Sequence, residues 1–178
     1  MTTPASGILE TPRLALRELD DASEADADFI LGLLNEPSFL EFIGDRGVRN
    51  TDDARAYIRN GPRASYAAHG FGLWLVSRTS DAAPIGICGL LRRETLPDPD
   101  LGFAYRPAYW RQGYAEEAGR AVVDHGRTAF GLTRILAVTV PGNRGSIRVL
   151  EKIGFHFERL IPWPGDASEI QLHAWEPA

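Results

Sequence analysis

The run Tyr105-Arg106-Pro107-Ala108-Tyr109-Trp110-Arg111-Gln112-Gly113-Tyr114-Ala115 decides how this chain is read. The apolar segment Leu101 to Tyr105 enters it as a strand, and a helical segment from about Gly113 to Ala129 leaves it. A turn of this kind leaves several backbone N–H groups at the helix start without partners, all aimed one way. Together with the helix dipole they make a spot attractive to anions. Gly113 and Ala115 carry almost no side chain, so a phosphate can approach the backbone closely. The question the run poses is which phosphate-bearing molecule sits there.

Downstream, Arg134-Ile135-Leu136-Ala137-Val138-Thr139 reads as a strand. Strand, turn, helix and strand make a βαβ unit, whose two strands should be parallel. The helix between them puts Ala115, Ala118, Gly119, Val122, Val123 and Gly126 on one stripe of small residues, able to lie very close to a sheet. Asn143 caps a last helix bearing Ile147, Val149, Leu150 and Ile153, and Gly154 stops it. Phe155 to Leu160 and Glu169 to Trp175 pattern as a closing antiparallel pair. Upstream, Arg13 to Leu19 alternates as a strand, and Asp26 to Asn35 carries Phe29, Ile30, Leu33 and Leu34 at helical spacing until Pro37 ends it. Thr51 is the expected N-cap of a second helix, which Gly61-Pro62 breaks or kinks. Phe71 to Arg78 and Pro84 to Arg93 should pair as a hairpin around Ser80 to Ala83, and Asp98-Pro99-Asp100 reads as a turn. The predicted fold class is α+β: a single mixed, mostly antiparallel sheet, with a parallel βαβ unit at the anion loop and helices on both faces.

The chain has 178 residues, a length suited to one domain over 1-178, with Met1 to Gly7 as a loose head. Its net charge of −5 argues against non-specific nucleic-acid binding, which usually needs a basic excess or stripe. Lys152 is the sole lysine, so the positive charge is nearly all arginine, which grips phosphate in a two-pronged way. Cys88 is the sole cysteine, so no internal disulfide forms and a reducing cytoplasm fits. Met1 to Gly7 lacks the basic and apolar regions of a signal peptide, and no apolar run approaches the ~20 residues of a membrane span. No membrane partner is expected. His69, His125, His156 and His173 are scattered without metal-ligand spacing, so no metal is expected. A Gly-x-Ser-x-Gly elbow is absent.

Taken alone, Gly113-Tyr114-Ala115 fits a tight strand-to-helix turn better than a nucleotide site. The Gly-Lys-Ser/Thr end of a P-loop is missing, and a Rossmann fingerprint needs three glycines. The loop has company, however. The stretch from Asp100-Leu101-Gly102-Phe103-Ala104-Tyr105 through Gly113-Tyr114-Ala115-Glu116-Glu117-Ala118 resembles the acetyl-CoA-binding motif of the GNAT family of N-acetyltransferases. Asn143-Arg144-Gly145-Ser146-Ile147-Arg148-Val149-Leu150-Glu151-Lys152-Ile153-Gly154-Phe155 resembles that family's second motif. Leu9-Glu10-Thr11-Pro12-Arg13-Leu14-Ala15-Leu16-Arg17 resembles the opening strand of the branch that includes the ribosomal-protein N-terminal acetyltransferases. The three motifs span residues 9 to 155 in the family's order.

The resemblance implies that the backbone of Phe103, Ala104 and Tyr105 lines the pantetheine arm of acetyl-CoA. It also implies that the N–H groups of Arg111, Gln112, Gly113, Tyr114 and Ala115 hold the pyrophosphate. Trp110 stands where the family's loop usually opens with Gln or Arg, an aromatic–Trp pair that fits the ribosomal branch, and Arg111 supplies a cation one place later. Asn143 matches the family's Asn before the last helix; it bonds the pantetheine, caps the helix, or does both. Ser146 matches a serine that donates to the leaving thiolate, unless it makes only a local backbone bond. Asp100 stands where many members carry Glu and is the leading base; the competing reading is a turn aspartate after Pro99. Leu150 occupies the position of the family's Tyr acid, which leaves the acid open between Ser146 and water. Cys88, mid-strand in an apolar run, is not an acyl carrier on this reading.

The implied reaction is direct attack of a neutral primary amine on the thioester. Positioning and backbone donors then supply most of the rate. One acceptor is a protein or peptide N-terminus, whose pKa of roughly 7.7–8 leaves a useful share neutral near pH 7. The other is a small-molecule amine: an amino acid, a polyamine or an antibiotic. Trp163, in the loop between the last two strands, is a substrate-side candidate. The second class of function is a non-catalytic acyl-CoA-binding module, supported by the Leu150 departure. Monomer and homodimer are both compatible with the sequence.

Overall fold

The computed structural model describes residues 8–178, so the expectation for Met1 to Gly7 falls outside the described residues. Eight strands among them form one sheet: β1 (Leu9–Glu10), β2 (Leu14–Arg17), β3 (Leu73–Arg78), β4 (Pro84–Leu91), β5 (Asp100–Tyr105), β6 (Ile135–Thr139), β7 (His156–Pro162) and β8 (Glu169–Trp175). Their spatial order is β1-β2-β3-β4-β5-β6-β8-β7. All pairs are antiparallel except β5 with β6, the expected parallel pair.

The period-2 alternation divides the apolar residues between two faces. Trp74, Val76, Leu90, Leu101 and Ile135 point to a core covered by α5 (Tyr114–Phe130) and α6 (Arg144–Lys152). Leu75 and Ile87 point to a second core under α1 (Glu24–Leu34), α2 (Pro37–Phe42) and α3 (Thr51–Ile58). The small-residue stripe seats α5 tightly. A Cβ added at Gly119 would meet Ile153 Cδ1 at 3.0 Å, and one at Gly126 would meet Leu90 Cδ1 at 3.0 Å.

α1 ends before Pro37, as expected, and Pro37 itself opens α2 at a first-turn position, where its missing N–H is an orphan anyway. Two local expectations are corrected. The cap of α3 is Asn50, whose side chain accepts the Asp53 N–H at 2.8 Å, with Thr51 the first helical residue. Gly61-Pro62 does not end the helix. A π-helical turn over Arg59–Arg63 carries it into α4 (Ala64–His69), the wider turn absorbing the hydrogen bond that Pro62 cannot donate.

The feature that makes room for a site is a gap in the sheet. β5 and β6 share one register position, Asp100 opposite Leu136, and the ladder stops there. The Arg106 N–H donates to the Ile85 carbonyl at 2.9 Å, so by the alternation of an antiparallel ladder the backbone groups of Phe103 and Tyr105 point away from β4, toward the gap. The Tyr105 carbonyl is taken by the Trp110 indole N–H at 2.8 Å, which leaves those of Phe103 open to the gap.

Candidate acyl-transfer site

Two cavities lie along the gap, of about 720 Å³ and about 370 Å³. Phe103, Ala104, Asn143 and Ser146 line both, so the two form one channel with two ends.

The larger end begins at the anion loop. Trp110 is extended, Arg111 has φ 59° and Gly113 has φ 81°, so the chain turns through the left-handed region twice in three residues. Gly113 stands at the N-cap of α5 with no side-chain cap, and the Glu117 N–H is the first to bond back, to the Gly113 carbonyl at 3.0 Å. The N–H groups of Tyr114, Ala115 and Glu116 are thus left for a ligand. Of the residues expected around the cofactor, Phe103, Ala104, Tyr105, Arg111, Gly113, Tyr114, Ala115, Asn143 and Ser146 all line this end. Gln112 does not: its side-chain amide donates to the Ala108 carbonyl at 3.0 Å and holds the loop from behind.

A brace from the start of the chain fixes the loop. Glu117 accepts from the Thr11 hydroxyl at 2.6 Å, the Arg13 N–H at 2.9 Å and Arg13 Nε at 2.6 Å. Arg13 also donates to the Gln112 carbonyl at 2.9 Å and lies over the Tyr114 ring. Burial pushes the Glu117 carboxyl up, but the bonds from Thr11 and Arg13 outweigh it and hold the group below its ordinary value. The third sequence motif, which looked remote from the loop, is this brace.

Arg144, Arg148 and Lys152 recur every four residues along α6 and face the same cavity. Arg144 and Arg148 make no ion pair among the described residues, while Lys152 approaches Glu116 at 3.5 Å. At the junction of the two ends, Asn143 Oδ1 accepts the Ser146 N–H at 3.2 Å, the expected cap, and its amide nitrogen has no partner among the described residues. The Ser146 hydroxyl makes no hydrogen bond among the described residues, and its backbone N–H is the one Asn143 caps.

Asp100 lies at the smaller end. It is not a turn residue but the first residue of β5, 1% exposed, with both carboxylate oxygens 3.1 Å from Arg93 Nε. Burial drives its pKa up to about 6, against the pull of the Arg93 charge. Arg93 also covers the Trp163 ring at 5.4 Å, which brings that loop tryptophan to the cavity wall. Leu150, 2% exposed, forms apolar wall at the position where the family resemblance places a Tyr. Cys88 is fully buried with its thiol pushed up to about 12 by burial, unfit as a nucleophile. Among the described residues no cluster of metal-type side chains occurs, and no helix is long and apolar enough to cross a membrane.

Arg93, Arg46, Tyr57 and the face of α2 also line the smaller cavity and were missed in the sequence. The observed β4–β5 register, with Leu91 opposite Asp100, places the residues just past Leu91 beside that carboxylate, a pairing the sequence did not signal.

The comparisons place the fold and the family. The family profile described as an acetyltransferase (GNAT) domain matches residues 13–156. The uncharacterized N-acetyltransferase YoaA of Bacillus subtilis is 30% identical over 155 residues, covering 86% of this chain and 85% of that protein. In structure, an acetyltransferase from Agrobacterium tumefaciens superposes with a TM-score of 0.79 at 24% identity, covering 99% of this chain and 96% of the other. The microcin C7 self-immunity acetyltransferase MccE, in complex with acetyl-CoA and AMP, superposes with a TM-score of 0.81 at 13% identity, over 98% of each chain. The chain therefore belongs to the GNAT acetyltransferase family and is an N-acetyltransferase.

Proposed function

We propose that the protein moves an acetyl group from acetyl-CoA to a primary α-amine by direct attack. The observation that carries this reading is one channel in which an uncapped helix start, an unpaired strand backbone and a row of cations lead to a buried carboxylate. The donor fits the residues present. The N–H groups of Tyr114, Ala115 and Glu116 suit a diphosphate, and Arg111, Arg144 and Arg148 add charge beside it. The open backbone of Phe103 suits the amides of a pantetheine arm, with the Asn143 amide nitrogen beside them. When bound, acetyl-CoA supplies the activated thioester.

Asp100 holds or removes the acceptor's proton. Ionised above about pH 6, it takes the proton directly or through water as the amine nitrogen bonds the carbonyl carbon. The C–S bond breaks, and the thiolate takes a proton from water, directly or through the Ser146 hydroxyl, which regains from water the proton it gives. The Leu150 wall keeps bulk water from the reacting atoms on that side.

The acceptor is read as a protein or peptide N-terminus, in line with the ribosomal-branch resemblance of Leu9 to Arg17. A small-molecule amine is the second reading, favoured by the size of the smaller cavity, about 370 Å³. A single domain working in a reducing cytoplasm fits the buried free Cys88. Release of free CoA thiol from acetyl-CoA tests the reading against short peptides, amino acids, polyamines and aminoglycosides. Turnover confined to one amine class establishes it. Calorimetry showing no binding of acetyl-CoA would sink it, and binding without turnover on any amine would leave only the non-catalytic module.

A further inference from the structure

The acceptor end of the channel carries a second polar group of side chains besides Asp100. Tyr57, on α3, lines this cavity, and its hydroxyl makes no hydrogen bond among the described residues. The charges of Arg46 and Arg93 both act on it. Arg46 is exposed, makes no ion pair among the described residues and lines the same cavity. Arg93 uses only Nε on Asp100, so its terminal N–H groups are unspent. Two guanidinium groups and a phenol therefore offer several donors without protein acceptors, at the end of a cavity of about 370 Å³.

We infer that this corner, formed by Tyr57, Arg46 and Arg93, binds a carboxylate of the acceptor, so that the preferred substrate is an amine carrying a carboxylate a few bonds from the reacting nitrogen. The inference rests on the acetyl-transfer reading above and narrows it. Arg93 links the two halves of such a substrate: Nε fixes Asp100, which faces the amine, while its outer N–H groups face the carboxylate. Planar bidentate recognition of this kind is what arginine does and lysine does not. The cavity also has acidic walls. Asp166 spends its carboxylate on the N–H and hydroxyl of Ser168, at 2.9 and 2.7 Å, and Glu41 is exposed on α2. The walls are thus mixed in sign, as a zwitterionic acceptor requires, and a polycation would meet Arg46 and Arg93 head on. Trp163 and Phe39 supply apolar contact for a side chain.

The same chemistry comes from two sources, a free α-amino acid or a short peptide with an acidic first residue. The test is the rate of acetyl transfer from acetyl-CoA to matched amines: amino acids against their amides and their decarboxylated amines, and Asp- or Glu-first peptide amides against Ala-first ones. The expected result is a kcat/KM at least ten-fold higher for the carboxylate-bearing member of each pair in one of these arms. Arg46→Ala and Tyr57→Phe should bring the pair within about two-fold while the KM for acetyl-CoA stays put, and Arg46→Lys should restore part of the preference. Equal or faster transfer to the neutral amines overturns the carboxylate site and leaves acetyl transfer standing. Should no member turn over, calorimetry of the same pairs against the acetyl-CoA-loaded protein decides. Tighter binding of the carboxylates that Arg46→Ala abolishes upholds the site, and equal or absent binding overturns it.

Discussion

Gly113 shows how much one position can carry. Its φ of 81° is strained for any side chain, and a Cβ there would meet Arg13 Nη2 at 3.2 Å. Gly113→Asp adds a negative charge beside the proposed diphosphate seat, so acetyl-CoA binding should vanish in calorimetry; unchanged affinity would refute the placement. Asp100 makes a different kind of prediction. Its folded pKa of about 6 lies above the ordinary 3.8, so the fold favours the protonated form. The stabilisation this gives is full below pH 3.8 and is lost as pH rises through 6, above which the cost of burying the ionised group is complete. Asp100→Asn should therefore flatten stability against pH between these values in urea titrations. In kinetics it should erase a limb of kcat near pH 6 and leave the limb set by the acceptor amine in kcat/KM. The position of Asp100 was readable from the motif, but its environment was not. A sequence shows an aspartate after Pro99; only the packing of Arg93 and the cavity walls makes it a buried strand residue with a raised pKa.

The elements show where long-range contacts escape a linear reading. The stripe of small residues on α5 was legible because helical spacing alone puts them on one face, and the contacts at Gly119 and Gly126 bear it out. Gly126→Leu should cost about 1–3 kcal/mol by overpacking against Leu90 and Ile135, read from urea unfolding. The brace of Thr11 and Arg13 on Glu117 was not legible as a contact, because no spacing rule links residues a hundred positions apart. Glu117→Gln keeps the shape but removes the charge from these bonds. It should lower stability by on the order of 1–2 kcal/mol and raise the KM for acetyl-CoA with little change in kcat, since the loop it steadies is distant from Asp100. A drop in kcat at constant KM would contradict that division. The early helices were misread at their boundaries for the same reason. Thr51 and Gly61-Pro62 are ambiguous punctuation, and tertiary packing of Ile58 decides which side of each the helix takes.

At the scale of the molecule, strand order was largely readable because a hairpin, a βαβ unit and a closing pair each have local signatures. The insertion of β8 between β6 and β7 had none. The charge balance of −5 likewise hid a local excess, since Arg144, Arg148 and Arg111 gather on one cavity. Arg148→Glu should raise the KM for acetyl-CoA several-fold, and the wild-type KM should climb with salt more steeply than the variant's. Acetyl-CoA at a hundred times its Kd should stabilise the fold by about 2.7 kcal/mol in a thermal-shift assay, an increment that Gly113→Asp should lose. The halted ladder between β5 and β6 has one more consequence. Sheets ordinarily keep their sticky margins at the outside, where another protein's strand can add to them. Here such a margin lies in the middle, roofed by α5 and α6 on one side and by α1 to α3 on the other. A neighbouring polypeptide with its side chains is too thick to enter. A narrow thread with amide groups and no branches is not, and so a surface that elsewhere invites aggregation is kept for a single slender guest.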